Sequence, residues 1–293
     1  IEERIRELGL RIRPGGDFEL VDPMNNPNFE RDWQTYHRIM GRKGVTPSFA
    51  RTVVSSRRTA LAALMVEQND VDAMICGAES AYMLHLPFIK NIIGIRGYLD
   101  DCAAITLLIL PSGTFFITDT HVSENPSARQ IATNTAMAAE VVRNFGLIPK
   151  AALLSHSSFG SWDSKQVRKM QKARRILREK YPHLAVEGEM QADAALSDEI
   201  RDRLFPNSRF EGQANLLVMP GLSAANISYN MVKILGDAVP VGPMLIGTNK
   251  PAHIVTNSAT VRAIVNLAAI AVVDAQVRQK RKAEKAYQAG RQG

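Results

Sequence analysis

Residues 145–161 read FGLIPKAALLSHSSFGS, and the order of residue types in that stretch decides the fold class. Gly146 stands where a helix stops, because glycine adopts the left-handed cap without steric penalty. The apolar run 151–155 (AALLS) has the length of a buried strand. Small hydroxyl residues and a glycine then form a loop, and a helical pattern follows. Upstream, Asn125-Pro126 offers an N-cap with proline at the first helical position, where a missing N–H costs nothing. Ile131, Thr135, Ala138, Val142 and Phe145 share one face of that helix. Downstream, Val167, Met170, Ala173, Ile176 and Leu177 recur at helical spacing before the next apolar run. This alternation predicts parallel strands covered by helices on both faces, an α/β fold of three layers (α/β/α).

The same rhythm extends along most of the chain. Strands are predicted at 18–21 (FELV), 71–76, 104–110, 114–118, 151–155, 185–190, 215–219 and 244–247. A helix carrying Ile227, Met231, Ile234 and Leu235 stops at Gly236. The turn at 110–114 (LPSGT) and the connector at 236–243 (GDAVPVGP) suggest lobe boundaries. The expected division is a first lobe over 1–110, an inserted second lobe over 111–241, and a return to the first lobe over 242–293. A ligand cleft is expected between the lobes, at the C-terminal ends of the strands. The helix at 263–273 (AIVNLAAIAVV) carries no charge on any side, which predicts burial between lobes or against another subunit.

Composition narrows the function classes. Of 293 residues 45% are hydrophobic and 22% charged, too apolar for a disordered chain. No apolar run approaches the ~20 residues of a membrane-spanning helix. The start, Ile1-Glu2-Glu3-Arg4, has neither a signal-peptide core nor an initiator Met, so the chain is expected to begin inside a longer polypeptide. Cys76 and Cys102 cannot build a disulfide framework and suit a reducing cytoplasm. The net charge of +7 comes from two segments, 165–180 at +7 and 278–293 at +5; removing both leaves the rest at −5. Both read as basic helical surfaces, the first a solvated face opposite its apolar stripe. Aromatics do not interleave them, so no nucleic-acid partner is expected, and no membrane partner either.

Motif tests leave few sites standing. The six histidines show no HxxxH or HxH spacing and no CxxC exists, so no metal site is expected. Neither GxSxG, GxGxxG nor GxxxxGK[ST] occurs, which counts against a hydrolase elbow, a dinucleotide fold or a P-loop in this chain. Three strand-end loops remain: 155–161 with Ser157, Ser158 and Gly160; 220–226 with Ser223 and Asn226 at a helix start; and 247–258 with Asn249, Lys250, Thr256 and Asn257. Small loop residues let backbone amides approach phosphate, and a helix N-terminus favours an anion. Singly each is more often an ordinary βα turn; together they point to one phosphate-rich ligand.

The segments GAES (77–80), FGLIPKAALLSHSSFGS (145–161), EGEMQADAA (187–195), PGLSAANISYNMVKILGDA (220–238) and GPMLIGTNKP (242–251) resemble the phosphotransacetylase (phosphate acetyltransferase) family. The likeness runs from about residue 36 to residue 276, with the motifs in the family's order. It implies a two-lobed fold of the isocitrate/isopropylmalate dehydrogenase-like kind, preceded in the family by a β–α–β stretch that this chain lacks. The family carries Asn-Asp-Leu-Ser-Arg-Gly near the end of this region, with an Asp seven residues past the Ser. Here Thr256 stands at the Ser position, Asn257 at the Arg and Ala263 at the Asp. A substrate arginine before a proline is replaced by Leu86 ahead of Pro87, and a further basic position falls at Asp100.

Transfer of acetyl between CoA and phosphate needs a base for the thiol proton and cations for the phosphoryl group. Loss of one preorganised electrostatic donor costs roughly 10²–10³ in rate. Lys250, His253 or Arg262 would have to supply substitutes. The stretches PHLAVEGEMQADAAL and MLIGTNKPAHIVTNSATVRAIVN resemble the degenerate module at the C-terminus of bacterial NADP-dependent malic enzymes. That likeness implies a non-catalytic, cytoplasmic domain that binds acetyl-CoA as effector through Thr256, Asn257, Asn249, Lys250, Ser157, Ser158, Gly160, Ser223 and Asn226. It implies self-association as a homodimer or higher oligomer. It also implies an N-terminal malic enzyme domain as partner, where NADP and a divalent metal would belong. Two other readings stay open: an active phosphate acetyltransferase, and a structural oligomerisation module.

Overall fold

The computed structural model describes residues 1–208 and 210–290; Arg209 and the last of the basic tail, Arg291 included, lie outside the described residues. The first third of the chain runs α1 (Glu2–Glu7), α2 (Phe29–Met40), α3 (Pro47–Ser56), α4 (Arg58–Glu67), β1 (Met74–Gly77) and α5 (Tyr82–Phe88). The middle runs β2 (Ala103–Leu110), β3 (Gly113–Thr118), α6 (Ala128–Asn144), β4 (Lys150–Leu154), α7 (Lys165–Lys180), β5 (Ala185–Met190), α8 (Ala192–Leu196) and α9 (Asp198–Leu204). The last part runs β6 (Leu216–Val218), α10 (Leu222–Leu235), β7 (Val239–Ile246), β8 (Ala252–Val255) and α11 (Val261–Gly290).

Six strands form one sheet in the order β5-β4-β6-β3-β2-β7, and β1 pairs with β8 in a second. Neighbours β5, β4, β6 and β3 are parallel; β2 runs against both β3 and β7. The three-layer α/β/α reading therefore holds. The period-two rule sorts the core: Phe116, Ala151, Leu153, Leu216 and Val218 face α6 and α7, while Phe115, Ile117, Ala152, Leu154 and Leu217 face α8 and α10. A third core, around Leu64, Ile89, Ile93 and Ile254, binds α2–α5 to the smaller sheet.

Several expected elements come out differently. Residues 18–21 form no strand; Phe18 makes one isolated bridge to Pro14, and Leu20 and Val21 are exposed. The Gly- and Pro-rich connector becomes the first half of β7, because it lies at the edge of the sheet, where proline is tolerated. The turn at 111–112 joins neighbouring strands of one sheet. Residues 252–255, read as part of a loop, form β8. The apolar helix is not enclosed: among the described residues only Leu267, Ala271 and Ala275 of α11 are buried, and Val265 remains 60% exposed. A single stripe of a straight helix meets the sheet, so the other apolar side chains face outward.

The basic helix behaves as its pattern predicts on one face, with Val167, Met170, Ala173 and Leu177 buried. Its charges are not all solvated. Arg174 and Arg178 converge on the buried carboxylate of Glu187, at 2.9 and 3.0 Å. A buried carboxylate needs such partners, since desolvation costs several kcal/mol per ion. Among the described residues no helix is long and apolar enough to cross a membrane.

Candidate functional site

The expected cleft would lie between the C-terminal ends of β1 and β8 and those of β3, β4 and β6. Its floor is a line of rings. His121, just past β3, lies 5.0 Å from Tyr82 of α5 and 6.3 Å from Tyr229 of α10. Asp119 fixes that loop by accepting the backbone N–H groups of Ala104, His121, Val122 and Ser123, at 2.8–3.1 Å. Burial raises the Asp119 carboxyl above its ordinary range, and those bonds oppose the rise. Burial, reinforced by Lys233, pushes the His121 imidazole down to about 4. The phenol of Tyr82 is buried without a partner among the described residues, and burial raises it well above its usual value.

On the first-lobe side the chain turns sharply after β1. Gly77 has φ +106°, and a Cβ there would sit 2.2 Å from the Val255 carbonyl oxygen, so only glycine lets β1 and β8 end together. Thr256 and the exposed Asn257 follow β8 at this end, with Thr256 Oγ1 3.2 Å from Ser258 Oγ. Beyond Gly77, Ser80 Oγ lies 2.7 Å from His85 Nε2, and Thr59 Oγ1 lies 2.7 Å from His85 Nδ1. Burial lowers the His85 pKa. The positions where the family resemblance places chemistry are otherwise inert. Leu86 belongs to the first-lobe core, Asp100 faces Arg129 at 3.5 Å, and Ala263 lies in the first turn of α11, which Thr260 caps.

Asn249 and Lys250 are separated from Thr256 by the whole length of β8. Asn249 Nδ2 donates to the Ile93 carbonyl, and Lys250 Nζ donates to the carbonyls of Val66 and Glu67 and to Asn69 Oδ1. Lys250 is thus a C-terminal cap of α4, not a cleft cation. His253 is buried in mid-strand, and Arg262 is exposed on α11.

The second-lobe loop also departs from expectation. Ser157 is fully buried and the loop folds around the buried carboxylate of Glu189. Gly160 N–H donates to Glu189 Oε1 at 2.6 Å, and Ser157 Oγ lies 3.3 Å from the same oxygen. The amides of Ser158, Phe159, Ser161 and Trp162 go to Ser161 Oγ, the Glu189 carbonyl, the Ser158 carbonyl and Ser157 Oγ. With these amides engaged internally, and a carboxylate already in place, the loop is no phosphate cradle. Ser158 Oγ instead accepts the Gln191 N–H.

A recess of about 400 Å³ lies beside that loop, at the ends of β4 and β6. Ser155, His156, Gln166, Pro220, Ala224 and Ser228 line it, and the Ser155 hydroxyl is buried without a partner among the described residues. No side chain caps α10, whose start carries the exposed Ser223. Asn226 Nδ2 donates to the Thr120 carbonyl at 3.3 Å, tying α10 to the floor. Lys169 Nζ reaches the Pro220 carbonyl and Asn125 Oδ1, both at 2.9 Å, and burial lowers its pKa. Sequence reading set Ser155 aside as a nucleophile and gave Lys169, Asp119 and His85 no place in a site. For Ser155 and Asp119 the signal available was a polar residue following an apolar run; Lys169 and His85 lie inside helices and carried none.

The phosphate acetyl/butaryl transferase family profile matches residues 1–272. The chain belongs to that family. Family members with different names share the likeness. An NADP-dependent malic enzyme of Haemophilus influenzae is 46% identical over 94% of this chain, and an NAD-dependent malic enzyme of Rhizobium meliloti is 48% identical over 94%. The chain spans only 36% of the length of each. A phosphate acetyltransferase of Corynebacterium glutamicum is 31% identical over 94% of this chain and 82% of its own length. A phosphotransacetylase structure from Streptococcus pyogenes superposes with a TM-score of 0.85 at 27% identity, over 94% of this chain and 83% of that one.

Proposed function

We propose that this chain is an acetyl-CoA-binding regulatory domain of a malic enzyme, with the family's acyl-transfer chemistry removed. One observation carries the reading: Thr256 and Asn257 just past β8, with Ala263 in the first turn of α11, are an uncharged set where the resemblance calls for Ser, Arg and Asp. The similarity to malic enzymes at 46–48% identity, against 31% for the Corynebacterium acetyltransferase, supports the same parentage. Thr256 and Asn257 would line the first-lobe side. Ser223 and Asn226, joined by Ser155 and Lys169, would hold the ligand on the other. The uncapped start of α10 and the Lys169 ammonium suit the phosphates of CoA, and the recess beside Ser155 suits a flat ring.

Regulation would follow from differential affinity: acetyl-CoA favours one arrangement of the lobes, and that bias passes to attached domains. Oxidative decarboxylation of malate, NADP and a divalent metal would belong to the remainder of the longer polypeptide, in the cytoplasm. Self-association is supported by the outward apolar side chains of α10 and α11, among them Leu235 at 81% and Val265 at 60% exposure. Calorimetry with acetyl-CoA should register binding, and Asn257→Asp should weaken it about tenfold by setting an anion near phosphates. A wild-type chain that ignores acetyl-CoA would refute the proposal.

A competing reading, acyl transfer by this chain itself, draws on the Ser80–His85–Thr59 contacts, which place a neutral imidazole at the cleft end of β1. Phosphate-dependent release of free CoA thiol from acetyl-CoA decides between them. A rate abolished by His85→Gln would favour catalysis; no release favours the sensor.

A further inference from the structure

Away from the cleft, α6, β7 and α11 enclose a cavity of about 260 Å³. Its walls are apolar: Met137, Val141, Phe145, Ile246, Ile270 and Val273. His253 also lines it. In β8 the side chains alternate, so Ala252 and Ile254 enter the first-lobe core while His253 and Val255 face the opposite side, toward α11. His253 is 2% exposed, and its Nδ1 lies 3.2 Å from the Leu245 backbone nitrogen. A backbone N–H can only donate, so Nδ1 is the acceptor and the ring proton sits on Nε2. That Nε2–H is buried and unpartnered among the described residues. An orphaned donor in an apolar wall is costly, and a ligand oxygen would relieve it.

The charges bordering the cavity are Arg96, Arg278 and Arg281 against Glu140 and Asp274, an excess of one positive charge. Arg278 is held in place: it pairs with Asp274 through two contacts of 2.9 Å and donates to the carbonyls of Thr248 and Asn249. Arg281 is exposed at the mouth. Burial pushes the His253 imidazole down to about 4, so the ring is neutral near pH 7 and supplies one hydrogen bond without charge. The volume exceeds the ~150 Å³ at which an apolar cavity takes up benzene.

We propose that this cavity is a second ligand site, separate from the cleft, for a monocarboxylate with a compact branched or aromatic body whose oxygen accepts the His253 Nε2–H. The apolar walls take the body, and the surrounding arginines select the anion. The site does not depend on acetyl-CoA binding.

The test uses the 293-residue chain with ¹⁵N-labelled histidine. The His253 ring signals are assigned by their loss in His253→Gln. Titration with 3-methylbutanoate or phenylacetate to about 10 mM should shift the Nε2–H signal saturably, whereas 3-methylbutylamine should not. Val273→Trp, which fills the cavity from a half-exposed position, and Arg281→Glu, a surface change, should each weaken binding at least about tenfold. Acetyl-CoA should not displace the acid. An unmoved signal, meaning water or nothing at Nε2, would overturn the proposal. So would an amine that binds as well as the acid, or acid binding unaltered in both variants.

Discussion

Glu189 is the group on which the second-lobe loop is folded, and Glu189→Ala measures what that anchor contributes. The side chain is 1% exposed and no ion pair to it occurs among the described residues, so its support is the Gly160 amide at 2.6 Å and the Ser157 hydroxyl at 3.3 Å. A charge-assisted bond contributes about 1.5–3 kcal/mol, and the longer Ser157 contact adds little because that hydroxyl can turn to Ser161. The Gly160 N–H left without an acceptor adds to the cost, and relief of the carboxylate's desolvation offsets part of it. The net expectation for Glu189→Ala is roughly 2–3 kcal/mol of destabilisation. Glu189→Gln retains an acceptor for Gly160 without the charge and should lose less than about 1 kcal/mol. In urea titration, with a slope near 3 kcal/mol/M, the alanine variant should unfold just under about 1 M earlier. Amide exchange at residues 158–162 should accelerate in step. A midpoint within about 0.2 M of wild type with unchanged protection, or a glutamine variant as damaged as the alanine one, would refute this account of the loop.

Lys250→Met should destabilise by about 2 kcal/mol, because three acceptors at the end of α4 lose their donor, while calorimetric affinity for acetyl-CoA stays unchanged; weakened ligand binding at full stability would return Lys250 to the cleft. Thermal melts should show stability falling as pH drops from about 6.5 to about 4, since His121 and His253 are held near 4 when folded and the unfolded chain takes up protons first. Each histidine accounts for roughly 3 kcal/mol of that loss. Asp119, raised by burial, acts with the opposite sign, so the pH slope of His121→Gln relative to wild type is the informative quantity, and identical slopes would contradict it. Gly77→Ala should cost more than about 3 kcal/mol or prevent folding, because its Cβ would meet β8 backbone; a neutral alanine at this site would contradict the tight β1–β8 ending.

The sequence by itself determined the architecture of the larger sheet. Runs such as 104–110, 114–118 and 151–155 are apolar enough to be strands wherever they pair, and Gly146 closes a helix by local geometry alone; the expected start of that helix is Asn125-Pro126, and it is capped instead by Ser127, whose side chain pairs with Gln130. The resemblance that the sequence carries also implied that Asn257 and Ala263 stand where the family has charged residues, and Thr256 where it has serine. What it could not determine was which polar residues face the ligand side. Ser157 and Gly160 read as an anion loop until Glu189, some thirty residues away, is seen to occupy their hydrogen bonds. Lys250 reads as a cation for phosphate until α4 ends against it, more than 180 residues earlier in the chain. The edge strand β7 and the short β8 carry proline or few residues, so their pairing comes from neighbours and not from propensity. Local rules fix backbone conformation. The partner of a buried polar atom is fixed only when distant segments close around it, and there the tertiary structure decided.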